Sequence, residues 1–556
     1  MRIPAPLAAL SAALLLNACA GGVQQAAAPA APVQISPERL AAHVRTLASD
    51  EFEGRAPGTA GETKTVAYLS QQFAQAGLQP GGRNGSWTQD VPLLQSDIVG
   101  QPTAALSVGG RRQALTQGEQ IAIRASLQKR DRVTIQNAPL VFIGYGVQAR
   151  ERNWDDFKGQ DLRGKVGVVL VNDPDFETGQ GAFGGRAMTY YGRWTYKYEE
   201  AARQGLAGLL IVHETEPASY GWATVKNSNT NTMFDVVRPD PAAVHPQLEG
   251  WIQRDTAVDL FRRAGLDFEQ LKRQAQRPDF RPVALPNTTF SADYAVRQAT
   301  TASKNVVARL PGRTRPNETV LYTAHWDHLG VGAPDATGDR IYNGAVDNAT
   351  GIAAVIEIAR AFAQGPRPER SLVFLAVTVE EKGLLGSEYY AANPLYPLET
   401  TAGGFNIDAW TPLGPARDML VIGSGQSELE DNLQTVLAEN GRVIRPDQSP
   451  EAGYFYRSDH FPLAKRGVPM LYIDSGQDLV TGGTAAAKAA EDAYRRDKYH
   501  QPADEIDDDW NFLGMTQDAA VLHRLGMELA NSRVWPNYRA SSEFRSVRDR
   551  SAAQRR

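Results

Sequence analysis

The sequence predicts an α/β protein, with a mixed, mostly parallel central sheet flanked by helices and an inserted β-rich module. Three observations carry this reading. From Lys304 onward, short apolar runs alternate with helix-length amphipathic stretches, as in a parallel sheet covered on both faces. Several of those runs stop at a histidine or carboxylate: LYTAH at His325, SLVFLAVTV before Glu380, GGFNI before Asp408. In open α/β sheets, ligands gather at the carboxyl ends of the strands. The third observation is length, since 556 residues exceed one simple core.

The elements follow in order. Residues 1 to 19 run from Met-Arg through an apolar stretch, Leu7 to Leu16, to Leu16-Asn-Ala-Cys19, and that stretch is too short to span a bilayer comfortably. It resembles the signal and lipobox of bacterial lipoproteins. The resemblance implies cleavage after residues 1–18 as signal peptide, lipidation of Cys19, a tether over residues 19–35, and anchoring to a bacterial membrane facing the periplasm, with the outer membrane favoured over the inner in a Gram-negative cell, or at the cell surface. Cys19 is the one cysteine, which excludes an intramolecular disulfide or a cysteine-rich metal site.

Ser36-Pro37-Glu38 reads as a helix N-cap and first turn, followed by Leu40, Val44 and Leu47 on one face. A second helix is expected over residues 62–76, stopped by Gly77, with the turn-rich LASDEFEGRAPGTAGE before it as a structured surface loop. Residues 36–99 form the first part of the main domain. Over residues 100–290 the texture changes to short strands, VFIGYGV, KVGVVLV and GLLIVHE, with a helix over residues 198–204, which marks an inserted module. The main domain resumes over residues 291–538, ending on a long helix over residues 513–532. The basic tail, residues 539–556, has few apolar anchors and reads as frayed. With 42% hydrophobic residues, 22% charged and a net charge of −5, the composition excludes extended disorder and a nucleic-acid-binding surface. Small molecules or peptides fit better as partners.

The candidate chemistry sits in five places. His325 and Asp327, two apart on an extended segment, leave the same face, so Asp327 can orient His325 as a metal ligand. On its own that triplet is weak evidence, and His328 next to it reads as a bystander. Asp347, in the turn NGAVDNATG, carries two oxygens and can bridge two metals, while Asn348 or Thr350 caps the following helix. Glu380 and Glu381 are adjacent and can point different ways, one toward metal and one free as a base. Asp408 and His500 lie in polar breaks beside apolar runs. Histidine and carboxylate together suit zinc.

In order and spacing, TAHWDH, NGAVDNATGIAA, VEEKGLLGSEYYA, NID, RSDHFPLAKRGVP and YHQPADE resemble the motifs of the di-zinc aminopeptidases of metallopeptidase family twenty-eight. GYGV, DLRGKVGVVLV and EEAARQGLAGLLIV resemble the protease-associated domain that several members carry as an insert. The resemblance implies a zinc exopeptidase fold and two zinc ions per chain. It makes His325, Glu381, Asp408 and His500 terminal ligands, Asp347 the bridge, Glu380 the general base and acid, and Asp327 the residue that orients His325. A cis Asp347–Asn348 peptide would aim the bridge. The implied activity is an aminopeptidase acting on peptides; a carboxypeptidase or dipeptidase, a glutaminyl cyclase and a non-catalytic binding protein share the fold.

For substrate contact, the segment Tyr456, Arg457, Ser458, Asp459 resembles the family's pocket segment. The aromatic stretch from Gly185 to Glu200, with Tyr191, Arg193 and Trp194, reads as a loop that either touches ligand or seats the module against the main domain. Carboxylates near the site favour a substrate amine; arginines would favour a substrate carboxylate.

Overall fold

The computed structural model describes Met1 and residues 35–555. The expected signal peptide, the tether up to Gln34 and the lipidated Cys19 lie outside the described residues, apart from Met1.

Two helices open the described chain. Helix α1 (Pro37–Leu47) is capped by Ser36, whose hydroxyl accepts from the Arg39 amide, and it buries Leu40, Val44 and Leu47. Helix α2 (Ala60–Ala76) is capped by Thr59 and ends on Gly77 at φ 95, the left-handed conformation that glycine adopts without strain. The connection between them is a surface loop only in part, with Asp50, Glu51, Gly58 and Thr59 exposed. Phe52, Gly54 and Arg55 are buried, and the Arg55 guanidinium donates to the carbonyls of Leu47, Trp326, Asn343 and Gly344. A single charged side chain thus ties this segment to the turns around His325 and Asp347.

Strand β1 (Thr88–Val108) leads into the module, which holds β2 (Ile121–Ile123), β3 (Arg132–Phe142), β4 (Val166–Leu170), helix α3 (Trp194–Arg203), β5 (Gly208–His213), helix α4 (Trp222–Asn229) and β6 (Leu248–Gln253). The return strand β7 (Val283–Leu310) pairs antiparallel with β1 from Thr88↔Val306 to Val108↔Thr288. Residues 100 and 290 therefore fall inside two paired strands, and the way in and the way out of the module run side by side. Strands β3, β4, β5 and β6 are parallel to one another, and buried side chains from both faces of this layer form its core. VFIGYGV is only partly strand: β3 stops at Phe142, and Gly144 and Gly146 turn the chain with positive φ. Helix α3 begins at Trp194, four residues before the expected start, so the aromatic stretch is half helix.

The main domain follows with β8 (Arg315–His325), α5 (Gly351–Gln364), β9 (Arg370–Val377), α6 (Leu385–Ala392), β10 (Thr401–Ile407), β11 (Asp418–Ile422), α7 (Leu429–Glu439), β12 (Val443–Pro446), β13 (Met470–Asp474), α8 (Gly483–Asp497), α9 (Leu513–Asn531) and α10 (Arg545–Arg550). Its sheet order is β12-β11-β13-β10-β8-β9-β7. Strands β8, β9, β10 and β13 are parallel, while β7 and β11 run antiparallel to their neighbours β9 and β13. The expected mixed, mostly parallel sheet flanked by helices is what forms. Strand β9 is buried along its whole length and β8 from Val320 to His325, as their unbroken apolar runs require in a sheet covered on both faces.

The sequence reading did not include α8, whose alanine-rich run carries a weak apolar stripe with only Ala487 buried. The C-terminal tail is also not frayed. Phe544 and Arg548 are buried, and Arg548 donates to the carbonyls of Thr401 and Ala402 at the start of β10.

Candidate metal centre

Parallel strands ending together bring the candidate ligands to one edge of the sheet. His325 is the last residue of β8, Glu380 and Glu381 follow β9, and Asp408 follows β10. Asp347 comes from the turn before α5. There the Asp347–Asn348 peptide bond is cis, Asn348 caps Gly351 through its side chain, and its amide group donates to the Ile407 carbonyl. Asp504 accepts from the amides of Val346 and Asp347 and from the Tyr494 hydroxyl, which fixes that turn from behind.

Two groups of donor atoms result. In the first, His325 Nε2 lies 3.1 Å from Asp408 Oδ1 and 3.2 Å from Asp347 Oδ1. In the second, His500 Nε2 lies 3.2 Å from Asp347 Oδ2 and 3.1 Å from Glu381 Oε2. Asp347 thus presents one oxygen to each group, as a bridging carboxylate must. His328 is no bystander: its Nδ1 lies 2.6 Å from Glu381 Oε1, and His328, Asp347 and Glu381 have donor atoms all within 4.8 Å of one another. Two imidazoles therefore reach the second group. The sequence signal for His328 was its place three residues after His325, in the irregular segment that follows β8.

The residues present fit a metal. Among the described residues, Asp327 Oδ2 and His328 Nε2 are buried without a hydrogen-bond partner. Buried polar atoms are rarely left so, and a cation is one group that satisfies them. Oxygen and imidazole donors suit zinc. Charge balance points the same way. Burial opposes a charged carboxylate at Asp347, yet hydrogen bonds from His325 and His500 hold its pKa well below the ordinary value. Burial also opposes the imidazolium, yet Glu381 and Asp347 hold His500 up at about 10.

Asp327 acts differently from expectation. His325 Nδ1 is 3.1 Å from the Asp327 carbonyl oxygen and 3.8 Å from its carboxylate, so the main chain orients the ring. The Asp327 carboxylate instead accepts from the Glu380 amide at 3.0 Å and positions the turn that carries the base. Glu380 itself reaches both cavities that meet at the site. Burial, with Asp408, Glu381 and Asp459 nearby, pushes its carboxyl well above the usual range despite His325.

The expected substrate residues divide. Tyr456, Arg457, Arg193 and Trp194 line a cavity of about 270 Å³ together with Glu380, Glu381 and His500. Ser458 and Asp459 do not: Ser458 donates to Asp408 Oδ2 at 2.6 Å and accepts from Asn406, while Asp459 accepts from Ser387, both fully buried behind the ligands. Tyr191 also faces away, with its hydroxyl on Glu151 and its ring against Phe183 and Tyr196. Its neighbour Tyr190 packs on Phe461 across from the module, so the aromatic stretch both seats the module and lines the cavity. A second cavity, about 820 Å³, opens on the other side of the ligands and is lined by Asp447, Asp474, Glu491, Tyr454 and Arg495.

Residues 305–522 match the family model described as Peptidase family M28. The leupeptin-inactivating enzyme 1 of Streptomyces exfoliatus is 28% identical over 33% of this chain and 38% of its own length. A probable zinc metalloprotease of Pyrenophora teres f. teres (strain 0-1) is 37% identical over 18% of this chain and 22% of its own. The chain thus spans well under half of these curated relatives. The solved aminopeptidase from Aneurinibacillus sp. strain AM-1 shares the fold, with a TM-score of 0.53 at 18% identity over 90% of this chain and 95% of that one. The family match thus covers residues 305–522, and the structural likeness shows the fold.

Proposed function

We propose that this chain is a zinc-dependent exopeptidase that removes N-terminal residues from peptides, with two zinc ions held by His325, Asp347, Glu381, Asp408 and His500. The observation that carries the reading is Asp347, which offers one carboxylate oxygen to each of two ligand groups. Zinc bound there would lower the pKa of a water and polarise the substrate carbonyl. Glu380, beside the ligands and open to both cavities, takes the proton from the attacking water and returns it to the leaving amine. Asp327 holds the Glu380 amide and so keeps that carboxylate at the cavity edge. Asp447, Asp474 and Glu491 in the larger cavity suit a free substrate amine, although Arg445, Arg457, Lys488 and Arg495 line it as well.

One observation favours a second reading, a carboxypeptidase or dipeptidase. Arg193 is 8% exposed, lines the smaller cavity beside Glu380, and its side chain makes no hydrogen bond or ion pair among the described residues. Arg457 lines the same cavity. A substrate carboxylate would satisfy both guanidinium groups. Aminoacyl anilides test the first reading, and N-blocked peptides with a free carboxyl end test the second. Turnover of the anilides alone, by a protein carrying two zinc ions, is the expected result; turnover of the blocked peptides alone overturns it. We also propose that Cys19 carries lipid and anchors the chain to a membrane; a palmitate analogue should label the wild type and not Cys19→Ala.

A further inference from the structure

We infer that Ser228, a residue of the inserted module, is a positioning residue for the metal ligand His500, so that the module orients one of the proposed ligands. The inference rests on the reading of His500 as a ligand. Ser228 Oγ lies 2.8 Å from His500 Nδ1, the ring nitrogen that faces away from Asp347 and Glu381. For Nε2 to offer its lone pair to a metal, Nδ1 must carry the proton and donate it, and the Ser228 hydroxyl is the acceptor in place. The neighbouring Asn227 donates from its side chain to the His500 carbonyl at 3.1 Å. His500 has φ 56, a left-handed conformation costly for a side-chain-bearing residue, so this second bond holds a backbone that would otherwise relax.

The same end of α4 also grips the other ligand-bearing turn. Lys382, next to Glu381, donates to the Ser228 carbonyl at 3.1 Å and to the Asn231 side chain at 2.8 Å. Helix α4 is in turn fixed inside the module, where Val225 and Thr224 are buried and Arg124 donates to Asn229 while pairing with Glu249. Two segments of the main domain, far apart in sequence, therefore meet on one short helix that belongs to neither.

Zinc affinity of the full-length protein tests this directly, with zinc titrated into the metal-free protein against a chromophoric chelator. Ser228→Ala should bind the zinc held by His500 and Glu381 about 10- to 100-fold less tightly than the wild type. Ser228→Thr keeps the hydroxyl and should bind as the wild type does. Ser228→Ala with wild-type affinity, alongside a weakened His500→Ala, would overturn the role of Ser228, as would equal losses in Ser228→Ala and Ser228→Thr. Wild-type affinity in His500→Ala would instead overturn His500 as a ligand, which separates the two failures.

Discussion

Ser458 donates a hydrogen bond of 2.6 Å to Asp408 Oδ2, the oxygen opposite the one that faces His325. The hydroxyl also accepts from Asn406, two residues before Asp408 near the end of β10, so Ser458 is fixed to that strand while it holds the carboxylate. Ser458→Ala should leave the fold intact and weaken the zinc at His325 and Asp408 by about 10-fold or more, as losses behind a ligand do. Chelator competition reads this out, and unchanged affinity would show that Asp408 needs no such support.

Glu380→Ala should retain both zinc ions and lose turnover by roughly 10²- to 10⁴-fold, the usual contribution of a positioned base. Metal analysis beside steady-state rates checks it. A variant that keeps most of its rate would remove Glu380 from the mechanism.

Arg55→Met should destabilise the protein by roughly 3 kcal/mol, because four buried carbonyls lose their donor at once. Denaturant unfolding measures the loss. Since Arg55 ties the turns of His325 and Asp347 together, metal affinity should fall with it.

His245, which is none of the proposed metal ligands, gives a pH dependence of stability. Burial opposes its charge, but Glu249 at 2.7 Å and Asp235 at 3.1 Å outweigh burial and hold its pKa up at about 9. A pKa raised in the folded state contributes stability that is fully present below the ordinary value of 6.5 and is lost as pH rises through 9. The contribution is at most about 3 kcal/mol. Wild type and His245→Gln should therefore differ most in unfolding free energy near pH 6 and converge near pH 10.

Much of this was legible in the sequence for a physical reason. A strand buried on both faces must be an unbroken apolar run, so the residue that ends it stands out, and His325, Glu380, Glu381 and Asp408 were found that way. Cap chemistry made the start of α1 and the end of α2 readable through Ser36 and Gly77, while the Thr59 cap of α2 fell inside the expected loop. What the sequence hid depends on long-range packing. Ser458 and Asp459 look like a polar turn until the fold places them behind Asp408. His328 needs the turn after β8, and Ser228 needs the module seated on the main domain. A lone arginine such as Arg55 gives no local sign that it will be buried, nor do the arginines of the tail signal that Arg548 reaches the start of β10.

The most direct test of the account is a crystal of the zinc-loaded protein examined by anomalous diffraction at the zinc edge. Two zinc peaks are expected, one touching His325 and Asp408, the other Glu381 and His500, and both touching Asp347. A single peak, or peaks that avoid Asp347, would contradict the two-metal site on which the proposed hydrolysis depends.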